Sequence, residues 1–274
     1  MLRTRVATAF LLLIFFLAAL FLFPHALWVA LVLAVAAAAA WEWGVLSRWP
    51  WRLRTSYALA TPLAVLTLLW FATHGALTMI YAVACVFWIV LAPAWLAAKW
   101  RVHHPLAAAL TGWIVLVPTS LALAQLREAG PGLVLWLMSI VWVADTAAYF
   151  AGRRFGKHKL APQVSPGKTW EGFAGALVCV TLYALAATAG GVHQSIMGIA
   201  APKLAVSAAL AFLLVHWVIT GYSVVGDLFE SWMKRVAGLK DSGGLLPGHG
   251  GVLDRIDSLT STLPLFALFW ALNA

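Results

Sequence analysis

Charged residues are scarce in this sequence. Asp, Glu, Lys and Arg make up 10% of the 274 residues, whereas 64% are hydrophobic and the mean hydropathy is +0.93. A soluble domain of this length has too little interior to bury so much apolar surface. The composition excludes an ordinary soluble globular protein and predicts an integral membrane protein.

Cysteine is also scarce, since the chain contains only Cys85 and Cys179. Each lies in an apolar segment without another cysteine, a histidine or a carboxylate at metal-ligand spacing. We expect neither a disulfide framework nor a cysteine-bound metal, and we interpret both thiols as core filler.

Polar segments are few and short, and apolar runs separate them. Crossing a hydrocarbon layer of ~30 Å takes about 20 helical residues, and nine runs are candidates. They lack the alternation of barrel strands, so the sequence predicts an all-α polytopic membrane protein with about nine transmembrane helices, in a single integral domain over residues 1–274. The runs are 7–23, 26–46, 57–73, 76–97, 106–126, 132–151, 170–190, 204–226 and 259–273.

The basic residues predict the orientation. If the N-terminus is cytoplasmic, then all of the 18 Lys and Arg residues except Arg127 and Lys203 fall in cytoplasmic segments. The first run follows Arg3 and Arg5 like a signal peptide, but no small-x-small pattern follows it, so we expect a retained anchor. We therefore predict a multi-pass protein of the cytoplasmic (inner) membrane, with cytoplasmic loops at 152–169 and 227–258. The positive charge also suits anionic lipid headgroups, whereas no basic face predicts nucleic-acid binding.

Asp145 and Glu42 are acidic residues that lie within apolar runs. An ionised group inside the bilayer costs ~2.5–3.5 kcal/mol on insertion scales, so Asp145 is a functional candidate. The alternative is a buried acid that pairs with an arginine of the next loop. Glu42, in "WEWG", lies near a cytoplasmic end and is interpreted as reaching headgroup water.

The segment 227–234 predicts a helix with one polar face. Asp227, Glu230, Ser231 and Lys234 follow the i, i+3, i+4, i+7 pattern, which places them on one side. An amphipathic helix at the membrane interface is the alternative.

The stretch "KDSGGLLPGHGGVLDRID", residues 240–257, concentrates glycine and charge. Its glycines and Pro247 predict a flexible loop whose backbone amides can face an anion. Asp254 and Asp257 follow at the start of the last helix, where the helix dipole alone would also favour acids. Because carboxylates beside bound phosphates need a cation between them, the basic neighbours and His249 indicate a metal-dependent phosphate site at the cytoplasmic membrane surface.

The other long loop, "GRRFGKHKLAPQVSPGKTWEG", offers a second set of donors. Its "GKT" is not a Walker A motif, because Pro162 stands where the leading glycine is required. Ser165, Lys168 and Thr169 lie directly ahead of an apolar helix, whose N-terminus itself favours an anion.

Two of these segments resemble a known family. "SWMKRVAGLKDSGGLLPGHGGVLDRID", residues 231–257, is similar to the signature of the phosphatidate cytidylyltransferase (CDP-diacylglycerol synthase) family. "SPGKTWEG" resembles that family's Ser-Pro-x-Lys-Thr-x-Glu-Gly segment, although Gly167 stands where many members carry lysine.

The resemblance implies that CTP and phosphatidate become CDP-diacylglycerol and pyrophosphate, with Mg²⁺ required. It implies Asp227, Asp254 and Asp257 as metal ligands that act with Lys234 in catalysis, and Asp145 as a further ligand. The phosphate-binding set would be Lys168, Lys234, Arg235 and Lys240, with Ser165, Thr169, Ser231 and His249 as hydrogen-bond donors.

Two other functions stay open at this point. A membrane transferase that acts on an isoprenoid phosphate would need the same polar residues, because the lipid tail contacts only unspecific apolar side chains. A transporter would instead need polar groups near the middle of the bilayer. The expected partners are CTP, phosphatidate and membrane lipids, without nucleic acid, and a homo-oligomer remains open.

Overall fold

A computed structural model describes residues 2–102, 104–189, 206–246 and 248–273. Within these ranges the chain forms helices and one short hairpin, and a π-helical turn, Phe87–Leu91, joins α4 to α5. The helices are α1 (Leu2–Leu22), α2 (His25–Leu46), α3 (Trp51–Phe71), α4 (His74–Val86), α5 (Ala92–Ala98), α6 (Pro105–Ala129), α7 (Pro131–Phe155), α8 (Trp170–Ala189), α9 (Val206–Ala237) and α10 (Leu253–Asn273).

The helices coincide with the predicted apolar runs. Six are long and apolar enough to cross a membrane: α2, α4 continued through α5, α6, α7, α8 and the part of α9 from Leu210. The other three runs lie in α1, α3 and α10, and the start of the eighth run lies outside the described residues. These helices confirm an all-α integral membrane protein.

A hairpin in the loop after α7 is the exception to this helical architecture. Strand β1 (Lys159–Ala161) pairs antiparallel with β2 (Ser165–Thr169), which leads directly into α8. The strands are too short and too polar to show the alternation by which a strand is recognised. The hairpin holds Lys168 in a defined position rather than in an irregular loop.

Helix α10 lies in the centre of the bundle. Its hydroxyl side chains are buried, with Thr260 at 2% exposure and Thr262 at 0%. The Thr119 hydroxyl donates to the Thr260 carbonyl at 3.1 Å, and the Ser261 hydroxyl donates to the Tyr222 carbonyl of α9 at 2.7 Å. Because these polar groups are satisfied inside the protein, α10 can be central while being less apolar than its neighbours.

The two cysteines differ in their surroundings. Cys85 is buried and its thiol lies 3.9 Å from the Pro264 carbonyl of α10, which confirms its interpretation as core filler. Cys179 is exposed on α8, so for this residue the same interpretation is wrong.

Segments predicted to share one side of the membrane meet at one end of the bundle. Arg48 donates to the Ala237 carbonyl at 2.8 Å, and the Trp232 indole donates to the Trp100 carbonyl at 2.8 Å. We call this end, formed by residues 47–50, 99–102, 156–169 and 238–252, the polar end. At the other end, His25 pairs with Glu128 at 3.2 Å.

Helices α9 and α10 cross in contact at Gly226. A Cβ atom at this position would lie 2.6 Å from both the Asp257 carbonyl oxygen and the Ser261 hydroxyl of α10. Only a residue without a side chain allows this approach, which brings Asp227 next to the first turns of α10.

Replacement of Gly226 by alanine should therefore destabilise the protein. Overpacking of this kind costs about 1–3 kcal/mol, and it should lower the midpoint of thermal unfolding in detergent. Gly221→Ala is the matched control, because a Cβ atom there meets no atom within 4 Å and Gly→Ala in a helix is otherwise stabilising. Equal unfolding midpoints for the two variants would contradict the tight crossing.

Candidate active site

A cavity of about 690 Å³ opens where the hairpin meets α7, α9 and α10. Charged side chains of both signs line it, as the sequence predicted for a site that binds anions and a metal together. They are Asp145, Asp227, Asp241, Asp254 and Asp257, with Arg153, Lys159, Lys168, Lys234 and Arg255.

Lys234 joins two of the helices that form the cavity. Its ammonium lies 2.5 Å from the Glu230 carboxylate one turn earlier on α9 and 2.7 Å from Asp254 Oδ1 on α10. The Lys234 side chain is 13% exposed and both carboxylate side chains are 5% exposed. Two acids therefore surround one buried cation, which still faces the cavity.

Lys168 and Asp227 form the second ion pair of the cavity. Their charged groups lie 2.7 Å apart and join the hairpin to α9. The Ser231 hydroxyl donates to the other oxygen of Asp227 at 3.2 Å. Both side chains of the pair are more exposed than the Lys234 cluster, so both can reach a ligand in the cavity.

Asp254 binds the loop before α10. Its Oδ2 accepts hydrogen bonds from the backbone amides of Ser242, at 2.9 Å, and Gly251, at 2.8 Å, and from the Ser242 hydroxyl at 3.0 Å. Burial raises the pKa of this carboxyl, but the hydrogen bonds from Lys234, Gly251 and Ser242 outweigh burial and hold the pKa below its usual range. Asp254 therefore favours its ionised form.

Asp257 and Asp145 approach the cavity from α10 and α7. The charges of Asp145 and Asp227 both act on Asp257, so three carboxylates repel one another across a small volume. Asp257 also accepts a hydrogen bond from the Ser258 amide at 2.7 Å.

The structure distributes the predicted phosphate-binding residues unevenly. Ser165, Lys168 and Thr169 line the cavity, and the Thr169 hydroxyl also accepts a hydrogen bond from the Gly172 amide at the start of α8, at 3.1 Å. Four residues are not among the described residues that line it: Ser231, Arg235, Lys240 and His249. Arg235 donates to the Val164 carbonyl of the hairpin at 3.3 Å, and Lys240 is exposed.

Sequence reasoning missed Glu42. Its interpretation as a group that reaches headgroup water is wrong, because the residue is 1% exposed and accepts hydrogen bonds from the loop before α10. An acid inside an apolar run is costly and therefore a functional candidate by default, so the signal was present in the sequence. Its hydrogen-bond partners could not be recognised from the sequence, because they lie 200 to 211 positions further along the chain.

A second cavity of about 710 Å³ adjoins the polar one. Leu160, Phe173 and Val224 line both cavities, and the second is otherwise mainly apolar, with Trp170 and Leu228 among its walls. A charged cavity and an apolar cavity are thus continuous at the polar end.

The donors around the polar cavity suit a hard divalent cation. Asp145, Asp227 and Asp257 offer carboxylate oxygens, and a cation between such groups would remove their mutual repulsion. In the part of the chain that the structure describes, no three such residues already converge as a metal site. Mg²⁺ is usually bound by one or two carboxylates together with substrate phosphates, which is compatible with this arrangement.

Comparison with known proteins gives a consistent result. The family model described as the cytidylyltransferase family matches residues 3–273. The phosphatidate cytidylyltransferase of Pseudomonas aeruginosa is 37% identical over 99% of this chain and 98% of its own length. That of Haemophilus influenzae is 36% identical over 98% and 99%, and that of Staphylococcus epidermidis is 44% identical over 51% and 49%.

These matches confirm the resemblance that residues 231–257 carry. The family match also includes the apolar helices outside this segment, whose sequences predicted membrane spans but no function. By this similarity over nearly its whole length, the chain belongs to the cytidylyltransferase family.

Proposed function

We propose that this protein transfers the cytidylyl group of CTP to phosphatidate and releases pyrophosphate. The observation that carries the proposal is the continuity of a charged cavity with an apolar one, since one substrate is a soluble polyanion and the other a lipid. The nearly full-length relatives named phosphatidate cytidylyltransferase support the choice of both substrates.

The reaction requires positioning and charge neutralisation more than proton transfer. A phosphate oxygen of phosphatidate attacks the α-phosphorus of CTP. The bond between this phosphorus and the oxygen that bridges to the β-phosphorus breaks, and pyrophosphate leaves with the electron pair of that bond. A phosphomonoester whose second pKa is about 6 is mostly dianionic at pH 7 and is already a nucleophile. The difficulty is to bring two polyanions together.

The cationic side chains of the cavity reduce this repulsion. Lys168 and Lys234 would be the principal phosphate ligands, because both line the cavity, Lys168 from the hairpin and Lys234 from α9. Ser165 and Thr169 would donate from the hairpin, whereas Ser231, whose hydroxyl donates to Asp227, would act through that carboxylate. Arg235, Lys240 and His249, which are not among the described lining residues, would act only on a nucleotide that extends out of the cavity.

Asp145, Asp227 and Asp257 would hold Mg²⁺, and Asp254 would contribute through Oδ1, since three loop donors engage its other oxygen. When bound, Mg²⁺ supplies charge neutralisation for the phosphates and for the departing pyrophosphate. Lys234 now pairs with Asp254, and Lys168 pairs with Asp227. For these two carboxylates to coordinate the ion, both lysines would leave them and pair with substrate phosphates instead.

The apolar cavity would receive part of the acyl chains of the lipid. In this arrangement the polar end faces the cytoplasm, nine helices cross the inner membrane, and the N-terminus is cytoplasmic. The segments that form the polar end, together with the helix turns that adjoin them, carry 14 of the 18 Lys and Arg residues, and this asymmetry supports the orientation.

A direct assay tests the reaction. Purified protein incubated with radiolabelled CTP, phosphatidate and Mg²⁺ should place cytidine in the lipid fraction, and chelation of the metal should abolish transfer. Polyprenyl phosphate added as a competitor should change little. Efficient cytidylyl transfer to polyprenyl phosphate instead would favour the isoprenoid alternative, and solute flux in proteoliposomes without nucleotide turnover would favour a transporter.

Lys168→Ala should impair the binding of a phosphate group. Loss of a hydrogen bond to a charged group costs about 1.5–3 kcal/mol, which corresponds to a decrease in kcat/KM of about 10- to 100-fold. Steady-state kinetics with CTP and phosphatidate varied in turn would measure this decrease. Lys157→Ala is the control, because Lys157 is an exposed lysine of the same loop that does not line the cavity among the described residues. Equal kinetics for both variants would remove Lys168 from the site.

Cysteine labelling tests the orientation. In a background without Cys85 and Cys179, Glu128→Cys should react with a membrane-impermeant maleimide in intact bacterial cells. Gly244→Cys, in the exposed loop of the polar end, should react only after permeabilisation. The reverse pattern of labelling would invert the proposed topology.

A further inference from the structure

The Glu42 carboxylate lies within the protein, and its hydrogen-bond donors among the described residues come from the far end of the chain. Its Oε1 accepts from the Val252 amide at 3.0 Å, and its Oε2 accepts from the Leu253 amide at 2.8 Å and from the Ser242 hydroxyl at 2.9 Å. Two of these donors are backbone amides at the start of α10. A carboxylate is favoured there because the amides have no partner within the helix and the dipole is positive at this end.

The loop before α10 is shaped around this carboxylate. A Cβ atom at Gly243 would lie 2.5 Å from Glu42 Oε1, and one at Gly251 would overlap with both Glu42 and Ser242. Both glycines are therefore required by the close approach of the loop to Glu42. The loop that sequence alone predicts to be flexible is held on both sides, by Glu42 and by Asp254.

Ser242 connects Glu42 to the active site. Its hydroxyl lies 2.9 Å from Glu42 and 3.0 Å from Asp254 Oδ2, and its amide donates to the same oxygen of Asp254. The other oxygen of Asp254 accepts from Lys234 in the cavity. The Ser242 hydroxyl has one proton and donates to one carboxylate at a time, while its amide keeps the link to Asp254. A chain of hydrogen bonds thus runs from α2, through the loop, to the charged groups that line the cavity.

We propose that Glu42 is a positioning residue for the transfer reaction. It holds the 242–253 segment in place, so that Asp254 keeps its orientation towards Lys234 and the cavity. This inference rests on the proposed function, since it assigns Glu42 to the same site. Glu42 itself does not line the cavity among the described residues. Its effect is on the geometry of Asp254, through Ser242 and the first turn of α10.

Glu42→Gln tests this role. Glutamine offers one carboxamide oxygen where the carboxylate offers two, so at least one donor of the loop would face an NH₂ group. By analogy with residues that orient metal ligands, kcat should decrease by about 10- to 100-fold and the Mg²⁺ concentration for half-maximal activity should rise. Glu42→Asp, which keeps the charge, should restore part of both. Glu128→Gln is the control, because Glu128 pairs with His25 at the opposite end, and it should behave as the unmodified protein.

Hydrogen–deuterium exchange provides a measurement that does not depend on activity. In Glu42→Gln, residues 242–253 should exchange faster, whereas the hairpin at 159–169 should be unchanged. Ser242→Ala should show the same changes to a smaller degree, and it decides the question if Glu42→Gln does not fold.

Two results would overturn the proposal. One is unchanged hydrogen exchange at 242–253, and the other is an unchanged kcat and Mg²⁺ dependence in the folded variant. If the unmodified protein transferred no cytidylyl group, the proposed function would fail, and the exchange data alone would support or refute the positioning of the loop.

Discussion

The ion pair between Lys234 and Asp254 is the interaction on which the site depends. It joins α9, which carries Asp227, to α10, which carries Asp257, with Glu230 as the second acid beside the same ammonium. A buried ion pair contributes little net stability, but loss of one partner leaves an uncompensated charge. The pair therefore specifies one arrangement of the two helices. It also fixes the position of the Lys234 ammonium, a cation that can neutralise a phosphate.

The second constraint is that the two substrates differ in solubility. The protein meets it by placing a charged cavity and an apolar cavity next to each other, with Leu160, Phe173 and Val224 in the walls of both. Neither cavity alone would distinguish this protein from a soluble nucleotide-binding enzyme or from a lipid carrier. Their shared wall indicates where a phosphate head and an acyl tail of one molecule could bind at the same time.

Much of this architecture could be predicted from particular residues. The apolar runs fixed the positions of the helices because length and hydropathy are local properties, and the glycine-rich segment with Asp254 and Asp257 indicated both the loop and the onset of α10. The role of Glu42 could not be predicted, because its donors are some 200 residues away. The central position of α10 was also hidden, since its buried hydroxyls make it less apolar than helices that face lipid. The hairpin was missed because its strands are too short to show a period.

The central position of α10 has a consequence for biosynthesis. Among the described helices it is the last to leave the ribosome, yet it packs between α4, α6 and α9, which are made earlier. The preceding helices can therefore complete their native packing only after this segment enters the membrane. The first two turns of α10 carry Asp254 and Asp257, so the charged centre is completed only when this helix is in place. A nascent chain that lacks α10 therefore lacks two of the carboxylates that line the polar cavity.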